Sequence, residues 1–176
     1  IHGIEEPLLI DCGPLTVERI FEAGIQLSSI QNVLFSHQHM DHNASFFHFA
    51  ITSWMYGRRD LTLFGPEGTE ALIEALVNVY REDIEYRREF GRSTVGVTDI
   101  DFTRVTETFE ATVADATITA CPVDHSIETY AYRIETDQGT VVYSADTGDP
   151  SPLAEFAADA DILVQNCGLG PEGTDG

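Results

Sequence analysis

The chain has 176 residues, 43% of them hydrophobic and 10% aromatic, which is enough for one domain with a substantial core and short for two. Its 30 acidic residues against 9 basic ones leave a formal charge of −21, so composition carries no basic nucleic-acid footprint, while the ordinary apolar fraction excludes a disordered acidic tail. All 9 basic residues are arginine, and so acidic a surface without lysine reads as adapted to concentrated salt in a halophilic cytoplasm, where screening suppresses self-repulsion.

Taken in chain order, Leu8 to Ile10 is a short buried strand that ends at Asp11-Cys12-Gly13, and Thr16 to Ala23 is a helix stopped by Gly24. The apolar run Ile30 to Phe35 leads into Ser36-His37-Gln38-His39-Met40-Asp41-His42. Asn43 then caps a helix that buries Phe46, Phe47, Ala50, Ile51, Trp54 and Met55. Leu61 to Phe64 is a strand, Gly65-Pro66-Glu67-Gly68 a turn, and Leu72, Ile73, Leu76, Val77 and Tyr80 mark one helix face. Arg81, Arg87, Arg88 and Arg92 alternate with acidic residues at helical spacing, which favours intrahelical pairing over a phosphate-binding patch.

From Val97 onward the period changes to two, with strands near Asp99 to Val105, Thr117 to Cys121, Thr129 to Glu135 and Thr140 to Ser144. A hairpin turn at Asp137-Gln138-Gly139, a short helix at Pro152 to Ala158 and a strand at Asp161 to Val164 follow. Residues 1–176 thus read as a single domain. Cys12, Cys121 and Cys167 have no paired spacing, and the start shows neither signal peptide nor Met. No apolar run approaches the roughly 18 residues of a membrane span. A cytoplasmic chain cut at both ends is the expectation.

The sharp signal is His37-x-His39-x-Asp41-His42. Residues two apart on an extended segment project to one side, so His37 and His39 can present imidazoles to one metal ion. Asp41 and His42, at the start of the next helix, can reach a second ion nearby. Further ligands belong at other strand ends. His125 follows Thr117 to Cys121, and Asp146 follows Thr140 to Ser144. Alone, His125 would be an ordinary loop histidine and Asp146 a turn former; beside the first motif, both become ligand candidates.

These residues resemble the metallo-β-lactamase superfamily, and its ribonuclease Z branch in particular. Similar to that branch are Leu8 to Gly13, Phe35 to His42, Leu63 to Gly68, His125 to Ile134 and Val142 to Thr147. The resemblance implies an α/β fold, a four-layer αββα sandwich with metals at one edge of the two sheets, here truncated at both ends. It implies two divalent ions: one held by His37, His39 and His125, the other by Asp41 and His42, with Asp146 bridging. A last histidine ligand, expected well after Asp146, has no counterpart before Gly176, which reads as truncation. Gln165 and Asn166 stand where the branch has a His-Glu-Ala-Thr stretch, and neither exchanges protons near neutral pH. A long Gly-Pro-rich arm for gripping transfer RNA is not evident between Asn78 and Thr108.

The implied chemistry is hydrolysis by a metal-bridging hydroxide, with Asp41 orienting it or accepting its proton. Zinc suits three imidazoles and a carboxylate, with manganese or iron as alternatives. The leading expectation is a phosphodiesterase that cuts precursor transfer RNA beyond the acceptor stem. The runner-up is a hydrolase of small esters (cyclic phosphodiesters, sulfate esters or lactones), and the third is a noncatalytic relative. A homodimer is the expected partner arrangement, the aromatic helix from Phe46 to Tyr56 serves either that interface or the core, and no membrane is involved.

Overall fold

A computed structural model describes residues 6–167. Residues 1–5 and 168–176, on which the reading of cut ends rested, lie outside them. Strands β1 (Leu8–Ile10), β2 (Asn32–Leu34), β3 (Thr62–Gly65) and β4 (Asp101–Arg104) form a sheet in that order, every neighbour parallel. Parallel neighbours need crossovers. These are α1 (Thr16–Glu22) after β1, α2 (Met40–Asn43) and α3 (Phe46–Met55) after β2, and α4 (Thr69–Val79) and α5 (Arg81–Glu89) after β3. The second sheet is an antiparallel run of β5 (Glu110–Val113), β6 (Ala116–Pro122), β7 (Tyr130–Thr136) and β8 (Gly139–Tyr143). Helix α6 (Ser151–Phe156) then returns the chain to β9 (Ile162–Val164), parallel to β8.

Alternation along the strands sorts side chains into layers. Val33, Phe35 and Leu63 pack with Phe46, Phe49, Trp54 and Leu76 under the helices. Leu34 and Phe64 point the other way and meet Ile118, Tyr132 and Ile134 of the second sheet. On that sheet's far face, Ala131 and Val142 pack on Leu153 of α6. The order is helices, parallel sheet, antiparallel sheet, helix, which is the αββα sandwich expected. Burying each large apolar side chain contributes about 1.5–3 kcal/mol, so the two main interfaces dominate cohesion.

Local differences from the sequence reading have identifiable causes. Strand β5 was not anticipated, because its hairpin to β6 turns at Ala114, whose φ of 53° is usually left to Gly or Asn. Asn43 ends α2 rather than capping α3; Ser45 is the cap residue, and the Asn43 amide donates to Gln38 Oε1 at 3.1 Å. Met55 is 42% exposed, and Phe49 occupies the core in its place. Of the arginines after residue 80, Arg87 pairs with Asp83 one turn earlier at 2.6 Å, whereas Arg92 leaves the helix to lie 5.3 Å from the Trp54 ring centroid. Among the described residues, no helix is long and apolar enough to cross a membrane.

Candidate metal centre

Strands β1 and β2 end side by side, and the loops after them build the first half of the cluster. Cys12 N–H donates to His42 O at 2.6 Å, and Ser45 N–H donates to Cys12 O at 2.9 Å, which straps α2 onto the β1 loop. The approach is so close that a Cβ on Gly13 would lie 2.2 Å from Asp41 O, so only glycine fits there. The second half arrives through the other sheet. Tyr130 N–H donates to Ser36 O at 3.0 Å and Tyr132 OH to Phe35 O at 2.8 Å, locking the β6–β7 loop with His125 over the motif. Gly148 N–H donates to Asp124 O at 2.8 Å and draws the loop after β8, with Asp146, to the same place.

Five of the expected residues fall into two compact sets that share His37: His37, His39 and His125, and His37, His42 and Asp146, with ligand atoms within 4.8 Å of one another in each. His39 Nδ1 lies 3.1 Å from His37 Nε2 and 3.0 Å from His125 Nε2. Asp146 sits between the halves. Its Oδ2 is 4.0 Å from both His37 Nε2 and His125 Nε2, while its Oδ1 is 3.5 Å from His42 Nε2. Asp41, its side chain 69% exposed, stands at the outer edge with Oδ2 3.6 Å from His42 Nε2.

The donor set fits divalent ions. A tetrahedral ion with ligands at about 2.0–2.1 Å has ligand–ligand edges near 3.4 Å, which is the scale of these separations. A cation would also suit the convergence chemically. One proton between His39 Nδ1 and its two imidazole neighbours can satisfy a single pair, whereas a cation accepts all three lone pairs.

Residues that the motif reading did not assign a role hold the rings in place. Asp11, 8% exposed and left-handed at φ 56°, accepts from Ser36 N–H, Ser36 Oγ–H and His42 Nδ1–H at 2.8 Å each and from Tyr143 OH at 2.7 Å. Because Ser36 gives its proton to Asp11, its Oγ accepts from His37 Nδ1–H at 2.9 Å. Both rings therefore keep Nε2 as a bare lone pair aimed into the cluster. Ser126 Oγ, 3.3 Å from His39 Nε2, does the same for the ring that presents Nδ1. Burial pushes the His37 pKa down to about 4, so this ring is neutral at pH 7. The hydrogen bond to Asp11 raises that of His42. A charged residue directly after an apolar strand was the available signal for Asp11; Tyr143 gave none.

The comparisons agree with this architecture. A model of the beta-lactamase superfamily domain matches residues 7–173. A ribonuclease Z of Mycobacterium bovis is 32% identical over 171 residues, covering 90% of this chain and 59% of that protein. The chain thus spans somewhat over half the length of the curated relatives it matches. The metallo-beta-lactamase fold protein YhfI of Bacillus subtilis superposes with a TM-score of 0.70 at 23% identity, covering 97% of this chain and 63% of the other. The short form of human tRNase Z does so with a TM-score of 0.67 at 14% identity, covering 95% and 69%. Fold, domain model and sequence likeness converge, and the chain belongs to the beta-lactamase superfamily.

Proposed function

We propose that this chain carries the catalytic centre of a metal-dependent phosphodiesterase of the ribonuclease Z type. One observation carries the reading: Asp146 turns one oxygen toward His37 and His125 and the other toward His42, as a carboxylate shared by two ions must. His37, His39 and His125 would hold one ion, and His42 with Asp41 the other. Ions held there, most suitably zinc, would lower the pKa of bound water toward neutrality and neutralise charge on phosphodiester oxygens. The chain's own groups supply the rest. Asp11, Ser36 and Ser126 fix the ring tautomers, the exposed Asp41 carboxylate reaches solvent and can orient a water or take its proton, and the buried side of His37 excludes water from behind the cluster. The curated relatives named ribonuclease Z support an RNA substrate, and precursor transfer RNA is the one that the resemblance implies.

A second reading, hydrolysis of a small phosphodiester, is favoured by one feature. Arg104, beside the loop that carries His125, is taken up by Glu67 at 3.3 Å and Glu128 at 3.4 Å, which leaves it poorly placed for phosphate contacts on RNA. The test is full-length protein, loaded with zinc or manganese, assayed on a precursor transfer RNA and on bis(p-nitrophenyl) phosphate at low and high salt. Cleavage of both supports the ribonuclease reading, and cleavage of the small ester alone supports the second. Silence on both, with metal bound, would overturn the phosphodiesterase proposal.

A further inference from the structure

We infer that Asn166 is a positioning residue for Asp146 and so sets the affinity of one ion of the pair; this rests on the metal-centre reading above. Asp146 reaches the cluster through an awkward piece of backbone. Ala145, fully buried, holds φ at 52°, a left-handed conformation that a residue with a Cβ adopts only when its surroundings impose it. The end of β9 and the residues after it impose it. Ser144 N–H donates to Val164 O at 2.9 Å, Asn166 N–H donates to Ser144 Oγ at 3.0 Å, and Ser144 Oγ donates in turn to Ala145 O at 2.7 Å.

The Asn166 side chain finishes the brace: its Nδ2 donates to Asp146 Oδ1, the oxygen that faces His42. A carboxylate rotates about its Cβ–Cγ bond at little cost, and a shared carboxylate works only if each oxygen keeps its side. A neutral donor on one oxygen locks that choice without adding charge. The neighbouring amide does not share the task, because Gln165 Nε2 donates to Asn166 O at 3.1 Å. Of the two amides that the sequence offers here, only Asn166 acts on the centre.

The experiment is equilibrium dialysis of full-length, chelator-stripped protein against Mn²⁺ and, separately, Zn²⁺, with bound metal counted per chain. Parent, Asn166→Ala, Asn166→Leu and Gln165→Ala are compared, with thermal unfolding of the metal-free forms as the folding control. Asn166 is exposed, so all should unfold alike. The expected result is two ions for the parent and for Gln165→Ala, and one unchanged ion plus one weakened about 10- to 100-fold for both Asn166 variants. Equal weakening of both ions, or no change, overturns the role of Asn166. A parent that binds neither cation overturns the metal-centre reading itself, and this inference with it.

Discussion

The two sheets contribute to the cluster in different ways. The parallel sheet delivers Asp11, His37, His39, Asp41 and His42 from adjacent strand ends, strapped by backbone hydrogen bonds around Gly13. The antiparallel sheet delivers His125 and Asp146 from separate loops that reach the others only when the sheets pack through Leu34, Phe64, Tyr132 and Ile134. The parallel half is a local construction that secondary structure preorganises. The antiparallel half depends on tertiary packing, so completing the centre and completing the fold are coupled.

Asp146 joins the two halves, and its removal is the severest test of that division. Asp146→Ala in the full-length protein should lower hydrolysis of bis(p-nitrophenyl) phosphate by more than about 100-fold, beyond the range of outer-shell changes, and reduce bound metal below two per chain. Retained turnover with two ions would show that the halves work without a shared carboxylate. Next in size is Asp11→Asn, which keeps the shape but loses the charge that His42, Ser36 and Tyr143 all address. Metal affinity should fall about 10- to 100-fold, by competition with a chelating dye, while the metal-free fold survives.

A subtler contrast lies within the parallel half and concerns pH. The His37 pKa is lowered to about 4 by burial, against 6.5 when exposed, so below pH 6.5 the unfolded chain takes up a proton that the folded chain refuses. Its contribution to stability is complete above pH 6.5 and declines as pH falls toward 4, with a slope of at most about 1.4 kcal/mol per pH unit. His42, raised by Asp11, has the opposite sign: its contribution is present below the ordinary histidine value and is lost as pH rises through its folded value. Urea unfolding of the metal-free protein should show His37→Gln flattening the acid limb and His42→Gln the neutral limb; the reverse assignment would refute the burial argument. The smallest effect belongs to Ser126→Ala. Loss of one exposed hydrogen bond to His39 should weaken zinc about 2- to 10-fold in the same dye competition and leave stability unchanged.

How much of this was legible in the sequence follows the same division. The run from Phe35 to His42 holds its ligands within one short segment, so periodicity and spacing exposed them directly. His125 and Asp146 were readable only as ordinary loop residues until the first motif called for partners, since nothing near either one encodes the other's position. The elements were legible because apolar runs alternate with helical faces, whereas their four-layer arrangement came from the family resemblance. Strand β5 was not, because Ala114 takes a conformation that its residue type does not advertise. Asp11 showed as a charge after an apolar strand, but its four donors come from two separate segments, one in each sheet, and emerge only once both sheets are assembled.

The claim on which the rest depends is that imidazoles and carboxylates from both sheets hold a pair of divalent ions. Counting metal by elemental analysis in full-length protein dialysed against zinc, beside the His125→Ala variant, tests it directly. Two ions per chain are expected in the parent, with loss of the ion on the His37–His39 side in the variant. A parent with no bound zinc, or a variant that keeps both ions at undiminished affinity, would contradict it.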